Sequence, residues 1–112
     1  MGVGRLARAL SGLKLSRAVR RFDGGKLAAR VTLVRPGSAA ARAGIRPGDR
    51  VIAAGNARIR RPADFLAVMN LVPPPFDLAV TVLRDGRRKV FNMRIRPPRG
   101  WPGPAAEREG AR

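Results

Sequence analysis

The stretch from Val34 to Ile52, VRPGSAAARAGIRPGDRVI, contains the signals that decide the fold. Pro36-Gly37 ends the apolar run before it, because proline cannot donate a hydrogen bond to a neighbouring strand and glycine readily enters turns. Ser38 can accept hydrogen bonds from amides in the first turn of a helix, and the alanine-rich segment after it predicts a short helix over Ala39–Ala43. Gly44 ends that helix, since glycine tolerates the left-handed conformation common just after a helix.

Strands are predicted on both sides of this helix. Pro47-Gly48-Asp49 has the residues of a tight turn, and the apolar run over 51–53 after it is typical of a buried strand. Upstream, β-branched residues within 29–35 favour a strand. An earlier strand is expected where Leu13 and Leu15 alternate with polar residues, and Asp23-Gly24-Gly25 supplies the turn between the two.

A longer helix is predicted from Pro62 to Leu71. Proline fits the first turn of a helix, and Asp64 places a negative charge near the positive end of the helix dipole. Helical spacing puts four apolar residues on one face, which is the predicted core stripe: Phe65, Val68, Met69 and Val72. Three residues lie on an adjoining face that the core does not require: Ala63, Leu66 and Asn70.

A hairpin of two strands, over 78–84 and 89–95, is predicted around the turn residues Asp85-Gly86. The composition predicts a basic flexible lead-in over 1–9, a folded domain over 10–96, and a disordered tail rich in proline and glycine over 97–112. The expected architecture is α+β, a small and partly open β-barrel or sandwich of five to six strands with two helices.

The composition excludes several classes of chemistry. The chain has no Cys, His or Tyr, so a catalytic triad, a thiolate nucleophile and metal sites built on His or Cys are impossible within it. We therefore expect no enzymatic activity, no metal and no cofactor. No export signal and no apolar stretch long enough to span a bilayer are found. With 24 Lys and Arg against 7 Asp and Glu, the net charge is +17.

The quoted stretch Val34–Ile52 resembles the central motif of PDZ domains, and it is most similar to those of bacterial HtrA/Deg/Do serine proteases. The resemblance continues through residues 62–65, at the start of the longer helix, and through residues 82–86, at the hairpin. Upstream, residues 10–16 resemble the glycine-containing segment that opens the second, C-terminal PDZ domain of Do-type proteases. The resemblance implies a PDZ-like fold over most of the chain and a peptide-binding module of an HtrA/Deg-like protein, serving protein quality control.

A sheet edge beside a helix can accept an extended peptide as an additional strand, and a terminal carboxylate requires clustered amide donors. The resemblance implies that residues 10–13 hold the carboxylate, that the strand over 13–16 pairs with the ligand, and that the longer helix flanks it. Periodicity predicts which side chains line the pocket, although Leu13 and Leu15 fit the core equally well. The predicted peptide-binding residues are Leu10, Ser11, Gly12, Leu13, Lys14, Leu15, Ala63, Leu66 and Asn70.

The expected partners are C-termini of peptides or proteins, unfolded segments, and a protease domain from which this chain is detached or to which it is related. Two other functions remain open. The positive charge favours non-specific binding of nucleic acid or of an anionic surface, while the few aromatic residues argue against sequence-selective recognition of RNA. An oligomerisation module is the other alternative. The location is the periplasm or cell envelope if the chain belongs to an HtrA-type protease, and the cytoplasm otherwise.

Overall fold

The structure, a computed structural model, describes residues 10–20, 27–71 and 74–97 of the 112-residue chain. The strands are β1 (Leu13–Arg20), β2 (Leu27–Val34), β3 (Arg50–Ala54), β4 (Ala57–Arg58), β5 (Phe76–Arg84) and β6 (Arg87–Ile95). Two helices lie wholly within the described ranges, α1 (Ala39–Ala43) and α2 (Pro62–Met69). The predicted lead-in over 1–9 and all but the first residue of the predicted tail lie outside the described residues, so the domain boundaries stay predictions.

The six strands form one antiparallel sheet in the order β1-β2-β3-β5-β6, with the short β4 paired to β3. The described residues do not close this sheet into a barrel, because β1 and β6 lie at its two opposite edges. The prediction of a partly open α+β fold with five to six strands and two helices is therefore confirmed.

The hairpin of β5 and β6 turns at Asp85 and Gly86, whose φ angles are 54° and 73°. Positive φ at both central residues is the geometry of a tight two-residue hairpin turn, which matches the right-handed twist of the strands. The pairing extends from Arg84 opposite Arg87 to Phe76 opposite Ile95, so both strands begin two residues earlier than predicted.

The hydrophobic core lies between one face of the sheet and helix α2. Val31, Val51 and Val82 come from three adjacent strands of the sheet and are fully buried. Helix α2 contributes three of the four residues of its predicted core stripe: Phe65, Val68 and Met69. The fourth, Val72, lies outside the described residues. The helix ends at Met69, two residues before the predicted end, and Leu71 beyond it is largely exposed.

The predicted short helix α1 spans Ala39–Ala43, with the bounds that the sequence indicates. The Ser38 hydroxyl accepts a hydrogen bond from the Ala41 amide at 3.2 Å, and Gly44 has a left-handed φ of 105°. Both signals in the sequence therefore act as predicted, because each satisfies backbone groups that a helix end leaves without partners.

An ion pair between Asp49 and Arg84 joins the loop after α1 to the end of β5. The guanidinium donates to both carboxylate oxygens, at 2.8 Å from Nε and 2.7 Å from Nη2, and Nη2 also donates to the Gly44 carbonyl at 2.8 Å. The same carboxylate accepts from the Arg46 amide at 2.9 Å. The Asp49 side chain is only 3% exposed, and its hydrogen bonds raise the pKa of Arg84 above the ordinary value. Sequence reasoning assigned Asp49 only to a turn.

Replacing Asp49 by Ala is expected to lower the free energy of unfolding by about 3 kcal/mol, because a largely buried guanidinium loses its partner. Asp77→Ala is the matched control. Asp77 pairs with Arg94 at 3.2 Å, but both side chains are more than half exposed, and its loss is expected to change stability by less than about 0.5 kcal/mol. Urea denaturation followed by circular dichroism measures both variants. Equal losses would contradict the structural importance of the Asp49 pair.

Candidate functional site

Strand β1 forms an edge of the sheet beside helix α2. Within the ranges that the structure describes, β1 pairs with β2 alone, and α2 packs against β1. An edge strand exposes backbone donors and acceptors to which a further strand can pair. The elements therefore meet in the arrangement expected from the sequence, with a strand edge on one side and a helix on the other.

The segment Leu10–Gly12 leads into this edge and is held tightly against α1. Gly12 has a φ of 77°, which favours glycine, and a Cβ added at this position would overlap the Cβ and Oγ of Ser38. Ser38 therefore both caps α1 and forms the surface on which Gly12 rests. Sequence reasoning missed this second role, because no local pattern connects residues so far apart in the chain.

Hydrogen bonds to β2 determine which backbone groups of β1 face the open edge. The Gly12 carbonyl accepts from the Arg35 amide at 2.9 Å, so it points toward β2. In a trans peptide unit, the carbonyl and the following N–H point in opposite directions. The Leu13 N–H therefore points away from β2. The Lys14 carbonyl accepts from the Thr32 hydroxyl at 3.1 Å, so the Leu15 N–H points away from β2 as well.

The predicted peptide-binding residues over 10–15 differ in how deeply their side chains are buried. Leu13 belongs to the core, with 4% of its surface exposed, so of the two alternatives for this side chain the structure selects the core. Leu10 and Leu15 are half-buried and pack against the margin of the same core. Lys14 is exposed, while Ser11 and Gly12 are buried. The Ser11 hydroxyl accepts a hydrogen bond from the Leu13 amide at 3.2 Å.

The predicted side chains of the helix also differ from one another. Ala63 and Asn70 are exposed, and Asn70 is the residue that ends α2 rather than part of it. Leu66 is half-buried and packs against the core margin, so the expectation that the core does not require it needs correction. Leu66 lies on the helix face beside the buried stripe, which leaves part of its side chain accessible. The structure therefore brings three half-buried leucines to the margin of one core: Leu10, Leu15 and Leu66.

The described residues contain no group of three or more His, Cys, Asp or Glu side chains that could hold a metal ion. No helix among them is long and apolar enough to cross a membrane.

Comparison with known proteins identifies the domain. Residues 30–84 match the family model of the PDZ domain, and the chain therefore contains a PDZ domain. The matched segment includes α1, α2 and the Asp49–Arg84 pair, but it begins after β1. By itself such a domain is non-catalytic. No curated protein matches the chain significantly.

Solved structures with the same fold include PDZ domains of HtrA-type proteins and of EpsC. The HtrA-type protease AlgW with a decapeptide has a TM-score of 0.65 at 21% identity, covering 78% of this chain and 29% of AlgW. The HtrA3 PDZ domain bound to a phage-derived ligand, FGRWV, has a TM-score of 0.60 at 20% identity, covering 75% of this chain and 81% of that one. The PDZ domain of EpsC from Vibrio cholerae has a TM-score of 0.57 at 21% identity, covering 77% and 97%.

Gly12→Ala is expected to reduce the free energy of unfolding by about 3 kcal/mol, because it combines an unfavourable φ with overlap against Ser38. Gly37→Ala is the matched control, since Gly37 has a φ of 74° and nothing within 4 Å of an added Cβ. It is expected to cost only about 1 kcal/mol. Urea denaturation compares the two. If both alanine variants lost the same stability, the packing of Gly12 on Ser38 would be unimportant.

Proposed function

We propose that this PDZ domain binds an extended peptide segment by adding it as a further strand along β1, beside α2. The observation that carries the proposal is the direction of the Leu15 N–H, which faces the edge of β1 rather than β2. Backbone hydrogen bonds along this edge provide affinity that does not depend on the sequence of the ligand. The half-buried side chains of Leu15 and Leu66 provide apolar contact for alternate side chains of the guest.

Two of the neighbouring structures support this proposal, since AlgW is described with a decapeptide and the HtrA3 domain with a phage-derived ligand. We further propose that the chain is related to, or detached from, an HtrA/Deg-type protease, whose protease domain is then a partner. The ligands are C-termini or unfolded segments of other proteins, and the work is part of protein quality control. On this proposal the chain acts in the periplasm or cell envelope.

Selection from libraries of random peptides tests the proposal, because it requires no assumption about the sequence of the ligand. One phage library displays short peptides with a free C-terminus, and a second displays the same peptides followed by a constant segment. We expect enrichment of peptides with apolar residues at alternate positions, because strand addition presents every second side chain to the domain. Static light scattering on the same protein tests for self-association through the β1 edge. Failure of both libraries to enrich any peptide would contradict the proposal.

Leu66→Arg is expected to weaken binding of a selected peptide by roughly tenfold or more, because it replaces an apolar contact with a charge. Ala67→Arg is the matched control, since it adds the same side chain at an exposed position of the same helix. Fluorescence anisotropy with a labelled peptide measures both affinities at about 150 mM salt. Circular dichroism verifies folding, and Leu66→Ala replaces Leu66→Arg if the arginine variant does not fold. Equal affinities of the two helix variants would place the peptide elsewhere.

Binding of a polyanion is a second candidate function, favoured by the face of the sheet opposite the core. Arg58 and Arg88 line a cleft of about 280 Å³ there, together with Thr81 and Asn56. Both arginines are exposed, and Arg30 is exposed on β2. Clustered arginines bind phosphates through charge and bidentate hydrogen bonds, without selecting a sequence.

The double variant Arg58→Gln and Arg88→Gln is expected to weaken binding of duplex DNA and to reduce the slope of log affinity against log salt by roughly 2. Titrations between about 50 and 200 mM salt measure this slope. Arg42→Gln with Arg46→Gln is the control, because it removes the same charge from exposed positions on and after α1. Equal effects of the two double variants would mean that DNA responds to net charge alone.

A further inference from the structure

The open edge of β1 begins with a donor that the chain itself already uses. The Leu13 N–H points away from β2, because the Gly12 carbonyl of the same peptide unit bonds to Arg35. The Ser11 hydroxyl accepts this N–H at 3.2 Å. Ser11 has no exposed surface, and Leu13 is 4% exposed. The first edge-facing amide of β1 is therefore bonded internally and shielded from solvent.

A terminal carboxylate and an internal peptide segment make different demands on this position. A carboxylate carries a full charge and requires several converging N–H donors to replace its hydration. An internal segment requires only alternating donors and acceptors along the strand, beginning with the Leu15 N–H. Because Ser11 occupies the Leu13 N–H, a terminal carboxylate gains no hydrogen bond from this donor, while pairing farther along β1 is unaffected.

We propose that Ser11 removes the preference of this groove for a free C-terminus, so that internal extended segments bind as well as terminal ones. The inference rests on the proposed peptide-binding function, and it assigns the ligand class. Ser11 is a positioning residue, because its hydroxyl acts by occupying the Leu13 amide and does not itself contact the guest.

The test compares one selected peptide in two forms, with a free C-terminal carboxylate and as the C-terminal amide. The wild-type chain is expected to bind both forms with affinities within about threefold of each other, since neither form reaches the Leu13 amide. Ser11→Ala removes the hydroxyl that accepts from the Leu13 N–H, so this N–H can donate to a carboxylate of the guest. In this variant the acid is expected to bind roughly tenfold or more tightly than the amide, which is the ordinary strength of a hydrogen bond to a charged group.

Ser16→Ala is the matched control, because it makes the same chemical change on β1 away from the Leu13 amide. The ratio of its affinities for the acid and for the amide is expected to equal that of the wild type. A variant that only disturbs the structure weakens binding of the acid and of the amide together. The ratio of the two affinities therefore separates a specific effect on the carboxylate from a general loss of structure. If Ser11→Ala does not fold, as judged by circular dichroism, the wild-type ratio alone decides.

A wild-type preference for the acid of about tenfold or more would overturn the role of Ser11 while leaving peptide binding established. An unchanged ratio in a folded Ser11→Ala variant would overturn it as well. If the wild type bound neither form of any selected peptide, the proposed function itself would fail, and this inference with it.

Discussion

The hydrogen bond between the Gly12 carbonyl and the Arg35 amide determines how the edge of β1 is presented. It fixes the plane of the peptide unit that contains the Leu13 N–H, and the rest of β1 continues from that plane. Gly12 can occupy this position because it has no side chain to meet Ser38. The segment Leu10–Gly12, the start of α1 and the first two strands are therefore coupled, and a change in any of them alters the surface available to a guest.

The Asp49–Arg84 ion pair fixes the C-terminal end of α1, the helix whose N-terminal end packs against Gly12. Its hydrogen bonds connect the end of β5 to the carbonyl of Gly44, which ends α1, and to the amide of Arg46 in the loop that follows. The guanidinium also lies 4.9 Å from the centre of the Phe91 ring, so β6 contributes to the same cluster. Helix α1 is too short to be stable alone, and these contacts hold it in place against the segment Leu10–Gly12.

Much of the fold was predictable because its signals are local. Ser38 and Gly44 bound α1, Asp85 and Gly86 form the hairpin turn, and the spacing of Phe65, Val68 and Met69 identifies the buried face of α2. The site was less predictable. Periodicity could not decide whether Leu13 lies in the core or the groove, and it did not reveal that Leu66 packs on the core margin. The partners of Gly12 and Asp49 are distant in sequence, so only the folded chain reveals them.

The central claim is that β1 accepts a guest strand, and amide hydrogen exchange tests it directly. With a selected peptide at saturation, the Leu15 amide is expected to exchange more slowly, because its N–H points to the edge where the guest would pair. The amides of β6, at the other edge of the sheet, are expected to exchange at unchanged rates. Protection that appears along β6, or no added protection at Leu15 despite bound peptide, would contradict the account.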